Sequence, residues 1–215
     1  MGRKPWFWTP ALAVLTGCIS GGIHYDPPAA SLGAPSNSRV IAKPRDQVWA
    51  AAVPALGKAF YVINTMDRSS GLINLSFSGT ANLYVDCGFI TVTFNDASGE
   101  SKRAFPAASP EERYAMASGT TRVDVSRRMN LEGRVNLIFE ELTPSSTRVT
   151  VNVRYVVTRV IVSSVSYPPR PPQTFTNSIG FNSGGSDSFP RAAAGDAVRC
   201  VPTGKAESDI LALVN

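Results

Sequence analysis

Strict alternation of apolar and polar residues dominates the second half of the chain. From Thr147 to Ser164, Val149, Val151, Val153, Tyr155 and Val157 fall on one parity, against Arg148, Thr150, Asn152 and Arg154 on the other. Successive side chains of a strand point to opposite faces, so this stretch predicts an antiparallel-type strand with one buried and one solvated face. The parity blurs through Val156-Val157-Thr158-Arg159-Val160, which predicts a bulge or strong twist. Thr121 to Ser126 and Gly133 to Glu141 alternate likewise, placing Val123, Val125, Val135, Leu137 and Phe139 together. Shorter alternating runs occupy Leu72 to Ser78 and Phe89 to Phe94, and the first reads as a hairpin with Tyr61 to Met66 across Asp67-Arg68-Ser69-Ser70-Gly71. Arg39-Val40-Ile41-Ala42 predicts a short opening strand.

A different period follows Lys43-Pro44. Val48, Trp49, Ala52, Val53, Leu56 and Phe60 recur at helical spacing, with Pro44 and Asp46 suited to a first turn. Pro54 conflicts with that helix and predicts a bend near Ala50 or an end before Gly57. A second helix runs from a Thr203 N-cap to Asn215, with Ala206, Ile210, Leu213 and Val214 on one face.

Two segments lack either period. Ser98 to Thr120 is polar, with Pro106, Pro110 and Gly119, and predicts a loop holding a helical turn at Pro110 to Tyr114. Residues 167–194 begin with four prolines between 168 and 172 and then carry Ser183-Gly184-Gly185-Ser186, a composition that predicts a long loop rather than sheet. Phe175, Phe181 and Phe189 punctuate it. They read either as aromatics pinning a surface loop or as anchors of a partner-docking loop.

The N-terminus reads as an address. Arg3 and Lys4 precede an apolar run, Pro5 to Leu15, that is shorter than the roughly 20 residues of a spanning helix and is broken by proline. Leu15-Thr16-Gly17-Cys18 then has the form of a lipobox. The expected organisation is a signal peptide over 1–17, a lipidated flexible tether over 18–38, and a periplasmic domain over 39–215. Cys18 would carry a diacylglyceryl group and an N-acyl chain, enough for stable anchoring. Ile19 stands where aspartate would signal inner-membrane retention, which points to the periplasmic face of the outer membrane. Gly21-Gly22, Pro27-Pro28 and the run Gly33 to Ser38 give the tether its flexible composition.

Composition narrows the function classes. With 215 residues and 43% hydrophobic content the chain can bury one core. The formal charge of +5 falls to about +3 once Arg3 and Lys4 leave, and the basic residues are scattered, which argues against nucleic acid. His24, in the tether, is the only histidine, so a Ser–His triad and a His-based metal site are excluded within this chain. Gly204-Lys205 is not a phosphate loop, because Arg199 and Ala206 occupy the required glycine and hydroxyl positions. Glu111-Glu112 and Glu140-Glu141 are adjacent pairs, and strand neighbours such as Glu140 and Glu141 point to opposite faces. No catalytic constellation, metal site or cofactor beyond the lipid on Cys18 is expected. Cys87 and Cys200 form an even pair in a compartment that permits disulfides, the alternative being two buried thiols.

Strand, helix, several antiparallel strands and a C-terminal helix together predict a single α+β, helix-grip-like domain, its antiparallel sheet packed on an N-terminal and a C-terminal helix. The runs Lys43-Pro44-Arg45-Asp46-Gln47-Val48-Trp49, Tyr61-Val62-Ile63 and Ser70-Gly71-Leu72-Ile73 are similar to BamC-type lipoproteins of the outer-membrane barrel-assembly machinery. That resemblance covers about a third of the chain and implies the fold and the lipid tether. The expectation is a non-enzymatic envelope scaffold or interaction module with a protein partner in outer-membrane assembly or secretion. The alternative is a carrier holding an apolar molecule between sheet and helix, in a cavity lined by Val149, Val151, Phe139 and Trp49.

Overall fold

Two very long neighbouring strands, Thr121–Thr143 and Ser146–Val165, carry the fold. The computed structural model describes residues 19–29, 36–59, 61–190 and 197–214. In chain order the elements are β1 (Ser20–Asp26), β2 (Ser38–Ile41), α1 (Arg45–Lys58), β3 (Val62–Asp67), β4 (Leu72–Gly79), the four-residue α2 (Ala81–Tyr84) and β5 (Val85–Asp86). Then follow β6 (Phe89–Asp96), β7 (Gly99–Pro106), β8 (Glu111–Ser118), β9 (Thr121–Thr143), β10 (Ser146–Val165), β11 (Arg170–Asn182), β12 (Asp187–Phe189), β13 (Val198–Pro202) and α3 (Lys205–Leu213).

Each long strand is long enough to take two partners in succession on its outer side. β9 pairs with β4 along Leu131 to Ile138 and with β8 along Thr121 to Arg128. β10 pairs with β2 along Thr147 to Thr150 and with β11 from Arg154 to Val165. With β3 beside β4, these strands make the main antiparallel sheet; β1-β6-β7 and β12-β13-β5 make two smaller ones. Strand accounts for 63% and helix for 15%, so this is an α+β chain dominated by antiparallel sheet.

The inner face of the main sheet is covered in two halves. Near the 144–145 turn, α1 and α3 pack on β9 and β10, burying Val48, Trp49, Ala52 and Leu56 from the first helix and Ala206, Ile210 and Leu211 from the second. Trp49 meets Phe139 edge-on at 5.2 Å. At the other end β1 and β6 lie over β8, and Phe105 stacks on Tyr114 at 5.5 Å. The seam between the halves holds two buried arginines, Arg127 and Arg159. Arg127 donates to the Ala107 carbonyl, and Arg159 donates to Asn177 and to the Pro190 carbonyl while lying 4.6 Å from the Phe189 ring. Burial pulls the Arg127 guanidinium down to about 10, against the opposing pull of Tyr114.

Several sequence expectations change. The two runs read from Thr121 and from Gly133 are one strand, because Arg127, Met129 and Leu131 continue the inward parity between them. No bulge interrupts Val156 to Val160: β10 stays in register with β9 there, and the pattern blurs only because Arg159 takes an inward position. Ser98 to Thr120 is not a loop but contributes β7 and β8, and the expected helical turn is strand, Glu111 to Tyr114 pairing with Arg128 to Val125. Residues 167–194 include a thirteen-residue strand, β11. Its prolines are tolerated because β11 lies at a sheet edge and Pro171 and Pro172 fall at the register shift between the Val165–Arg170 and Ser163–Gln173 pairs. The supposed tether begins as β1, paired residue for residue with β6. Gly21 is needed there, since a Cβ would sit 2.3 Å from the Thr93 carbonyl oxygen. Residues 30–35 of that segment lie outside the described residues.

α1 continues through Pro54 to Lys58 rather than stopping before Gly57, its buried face outweighing one lost hydrogen bond. Phe60 lies outside the described residues. α3 starts at Lys205 with Gly204, at φ 77°, in the cap position, while Thr203 Oγ1 accepts the Lys205 N–H.

Candidate functional site

The polar parity of the long strands forms the open face of the main sheet, opposite α1 and α3. Registers Asn74–Asn136 and Asn136–Asn152 align three asparagines straight across β4, β9 and β10. Asn74 Nδ2 donates to Asn136 Oδ1 at 2.6 Å, and Asn37 Nδ2 extends the row by donating to Asn152 Oδ1 at 3.0 Å. The next row runs Ser76, Arg134, Arg154, Asn182 through direct cross-strand pairs. Arg154 Nη1 donates to Asn182 Oδ1 at 3.3 Å, and Ser76 Oγ donates to Asn64 Oδ1 at 3.4 Å. A hollow of about 460 Å³ opens over both rows, and a second of about 570 Å³ continues past Asn64, Ser76 and Arg134 towards Val62.

The amides offer donors and acceptors together, and the two guanidiniums offer donors only. Neither Arg134 nor Arg154 has a carboxylate partner among the described residues. The face is therefore suited to bind carbonyls, hydroxyls and carboxylates. Of the carboxylates singled out in the sequence, Glu112 pairs with Arg103 at 2.8 Å and Glu111 with Arg113 at 2.8 Å, while Glu140, on the same open face two rows from Asn136, pairs with Arg148 at 3.1 Å. Among the described residues no group of His, Cys, Asp and Glu could hold a metal, and no helix is long and apolar enough to cross a membrane.

The other sequence candidates fall in several places. Cys18 lies outside the described residues. Cys87 and Cys200 are joined in a disulfide beside the β5–β13 pair. The three phenylalanines do not make a docking loop. Phe189 is fully buried, Phe181 is buried and stacked on Tyr155 at 5.7 Å, and only Phe175 is substantially exposed, because β11 and β12 turn the first two into the core. His24 is exposed on β1, with Nε2 3.0 Å from Asp26 Oδ1, rather than in a linker. Beside Phe181, Tyr155 Oη donates to buried Glu207 at 2.7 Å, and Ser183 Oγ donates to the same carboxylate at 2.7 Å. Burial, reinforced by that carboxylate, pushes the Tyr155 phenol far up.

Sequence reasoning assigned Asn152 and Arg154 only to a solvated exterior. Alternation gives the face on which a residue lies but not its cross-strand neighbours, so the asparagine row could not be found that way. The available signal was asparagine itself, uncommon in strands yet repeated on one parity at 74, 136 and 152. No protein-family model matches the chain, and comparison with curated proteins and with solved structures returns no match.

Proposed function

We propose that this chain is a lipid-anchored, periplasm-facing envelope protein acting as a non-enzymatic interaction module, with the asparagine–arginine face as the surface that docks a protein partner. The observation that carries the reading is the placement of Arg134 directly against Arg154 beside the Asn74–Asn136–Asn152 row. Asparagine is depleted in strands, and like charges directly opposite are destabilising. Selection for stability alone would disfavour both, whereas a partner offering carboxylates and backbone carbonyls uses both. The lipobox at Leu15 to Cys18 supplies the tether, and its sorting signal favours the outer membrane.

α1 and α3 against one sheet face support a helix-grip-like domain, and the similarity to BamC-type lipoproteins favours a role in outer-membrane assembly or secretion. A filled core favours docking over an apolar carrier: Val149 and Val151 are fully buried and Phe139 is occupied by Trp49. The test is site-specific photo-cross-linking in cells from Asn136, with Lys102 on β7 as the control position. A discrete adduct from Asn136 that disappears in Arg154→Glu is expected. Equal adducts from both positions, or none from Asn136, would sink the reading.

A further inference from the structure

We infer that the end of the molecule formed by Ser20 and the turns at 97–98, 119–120 and 166–169 rests on the lipid headgroups, with Tyr167 seated in the interface. This placement depends on the lipid anchor proposed above and adds an orientation to it. If the tether were flexible, the anchor would leave orientation open. The chain is instead already in a strand at Ser20, and the two residues from Cys18 to Ser20 reach at most about 7 Å. Whatever surrounds Ser20 is therefore held at the bilayer.

Those surroundings follow from the registers. Ser20 pairs with Asn95 and Asn95 with Glu100, beside the 97–98 turn. The next residue, Asp96, lies 3.5 Å from Arg122, whose guanidinium also covers the Phe94 ring at 5.2 Å. Arg122 sits at the start of β9, where the following residue, Val123, pairs with Val165 at the end of β10, and the 166–169 turn comes next. The start of β1 and the tip of the β10–β11 hairpin thus share one end.

Tyr167 crowns that tip and is 86% exposed, the most exposed of the large apolar side chains described. A tyrosine with an apolar body and a polar hydroxyl suits the headgroup region. Charge does not drive the contact. Arg122 is shared between Asp96 and Asp124, and with exposed Lys102, Arg170 and Glu100 the end carries three positive and three negative groups. The anchor supplies the affinity by keeping the tip at high local concentration, and Tyr167 supplies the angle. Arg154 then stands up to about 35 Å along β10 from Val165, which holds the docking face away from the bilayer.

The experiment uses the full lipidated protein in phosphatidylcholine vesicles whose acyl chains are brominated near the headgroup. Tyr167→Trp adds a tryptophan at the tip; Val62→Trp, at an exposed position in the docking-face row, is the control. Trp49 is the baseline, because Trp6 and Trp8 leave with the signal peptide. Mass spectrometry establishes the lipid on Cys18. The expected result is loss of the emission added at 167 with a blue-shifted maximum, and retention of the emission added at 62. No loss at 167, or equal loss at both, on a lipidated chain overturns the orientation and leaves the anchor standing. An unmodified Cys18 overturns the anchor, and the orientation with it.

Discussion

Arg134 and Arg154 stand directly opposite each other across β9 and β10, with no carboxylate bridging them among the described residues. Stability and recognition therefore pull in opposite directions at this pair. Arg134→Glu converts a like-charge pair into an opposite-charge one and should raise stability by about 0.2–1 kcal/mol in urea unfolding. The same substitution should abolish the adduct from Asn136. Loss of both stability and cross-linking would mean that the pair is a structural element rather than a docking one.

Phe77 lies opposite Gly133, and a Cβ on that glycine would come within 2.1 Å of the phenyl ring. The aromatic ring covers the strand where the glycine leaves its backbone bare. Gly133→Ala should cost about 1–3 kcal/mol by overpacking. Adding Phe77→Leu should recover part of that loss, a non-additivity that a double-mutant cycle would detect.

The Cys87–Cys200 bond closes a loop with a sequence separation of 113. In the chain-entropy account a closure of that length is worth about 4–5 kcal/mol. Cys87→Ala with Cys200→Ala should lower unfolding stability by that order, and added reductant should have no further effect on the double variant. An unchanged midpoint would show that the reduced chain is already constrained.

Alkaline pH should weaken the fold. Burial pushes Tyr61 up to about 12, and burial together with Glu207 pushes Tyr155 up further. Below pH 10 both phenols are protonated in the folded and unfolded chains, so they add no pH dependence. Above about pH 10 the unfolded chain releases protons that the folded chain keeps, and stability falls as pH rises through about 12. Melting temperatures across that window, read with phenolate absorbance, should drop together; a flat profile to pH 12 would refute the assignment.

Much of the sheet was legible because period-two alternation survives without its partners. Val149 to Val157 and Ile73 to Phe77 specify strands and faces from local chemistry alone. The same rule misled where a charged residue took an inward position: Arg159 looked like a break in register and is a buried side chain donating to Pro190 and Asn177. The glycines, prolines and polar residues of β1, β7, β8 and β11 carry little strand preference, so local chemistry points to tether or loop for these segments. They are strands because β6, β9 and β10 offer unpaired backbone beside them, and an edge tolerates prolines that a central strand would not. The candidate docking face was hidden for a related reason, since its rows are made by register between residues as far apart as Asn74 and Asn136.

From its sequence alone this protein has the Leu15-Thr16-Gly17-Cys18 run with the form of a lipobox, the alternating strands, the two helices and the pair of cysteines, all set by patterns within a few residues or by residue count. Tertiary structure decided which polar segments became strands, which phenylalanines entered the core, and which arginines and asparagines met across the sheet. It also decided that the strand begins two residues after Cys18. Those outcomes depend on hydrogen bonds and packing between distant segments, which no local pattern encodes.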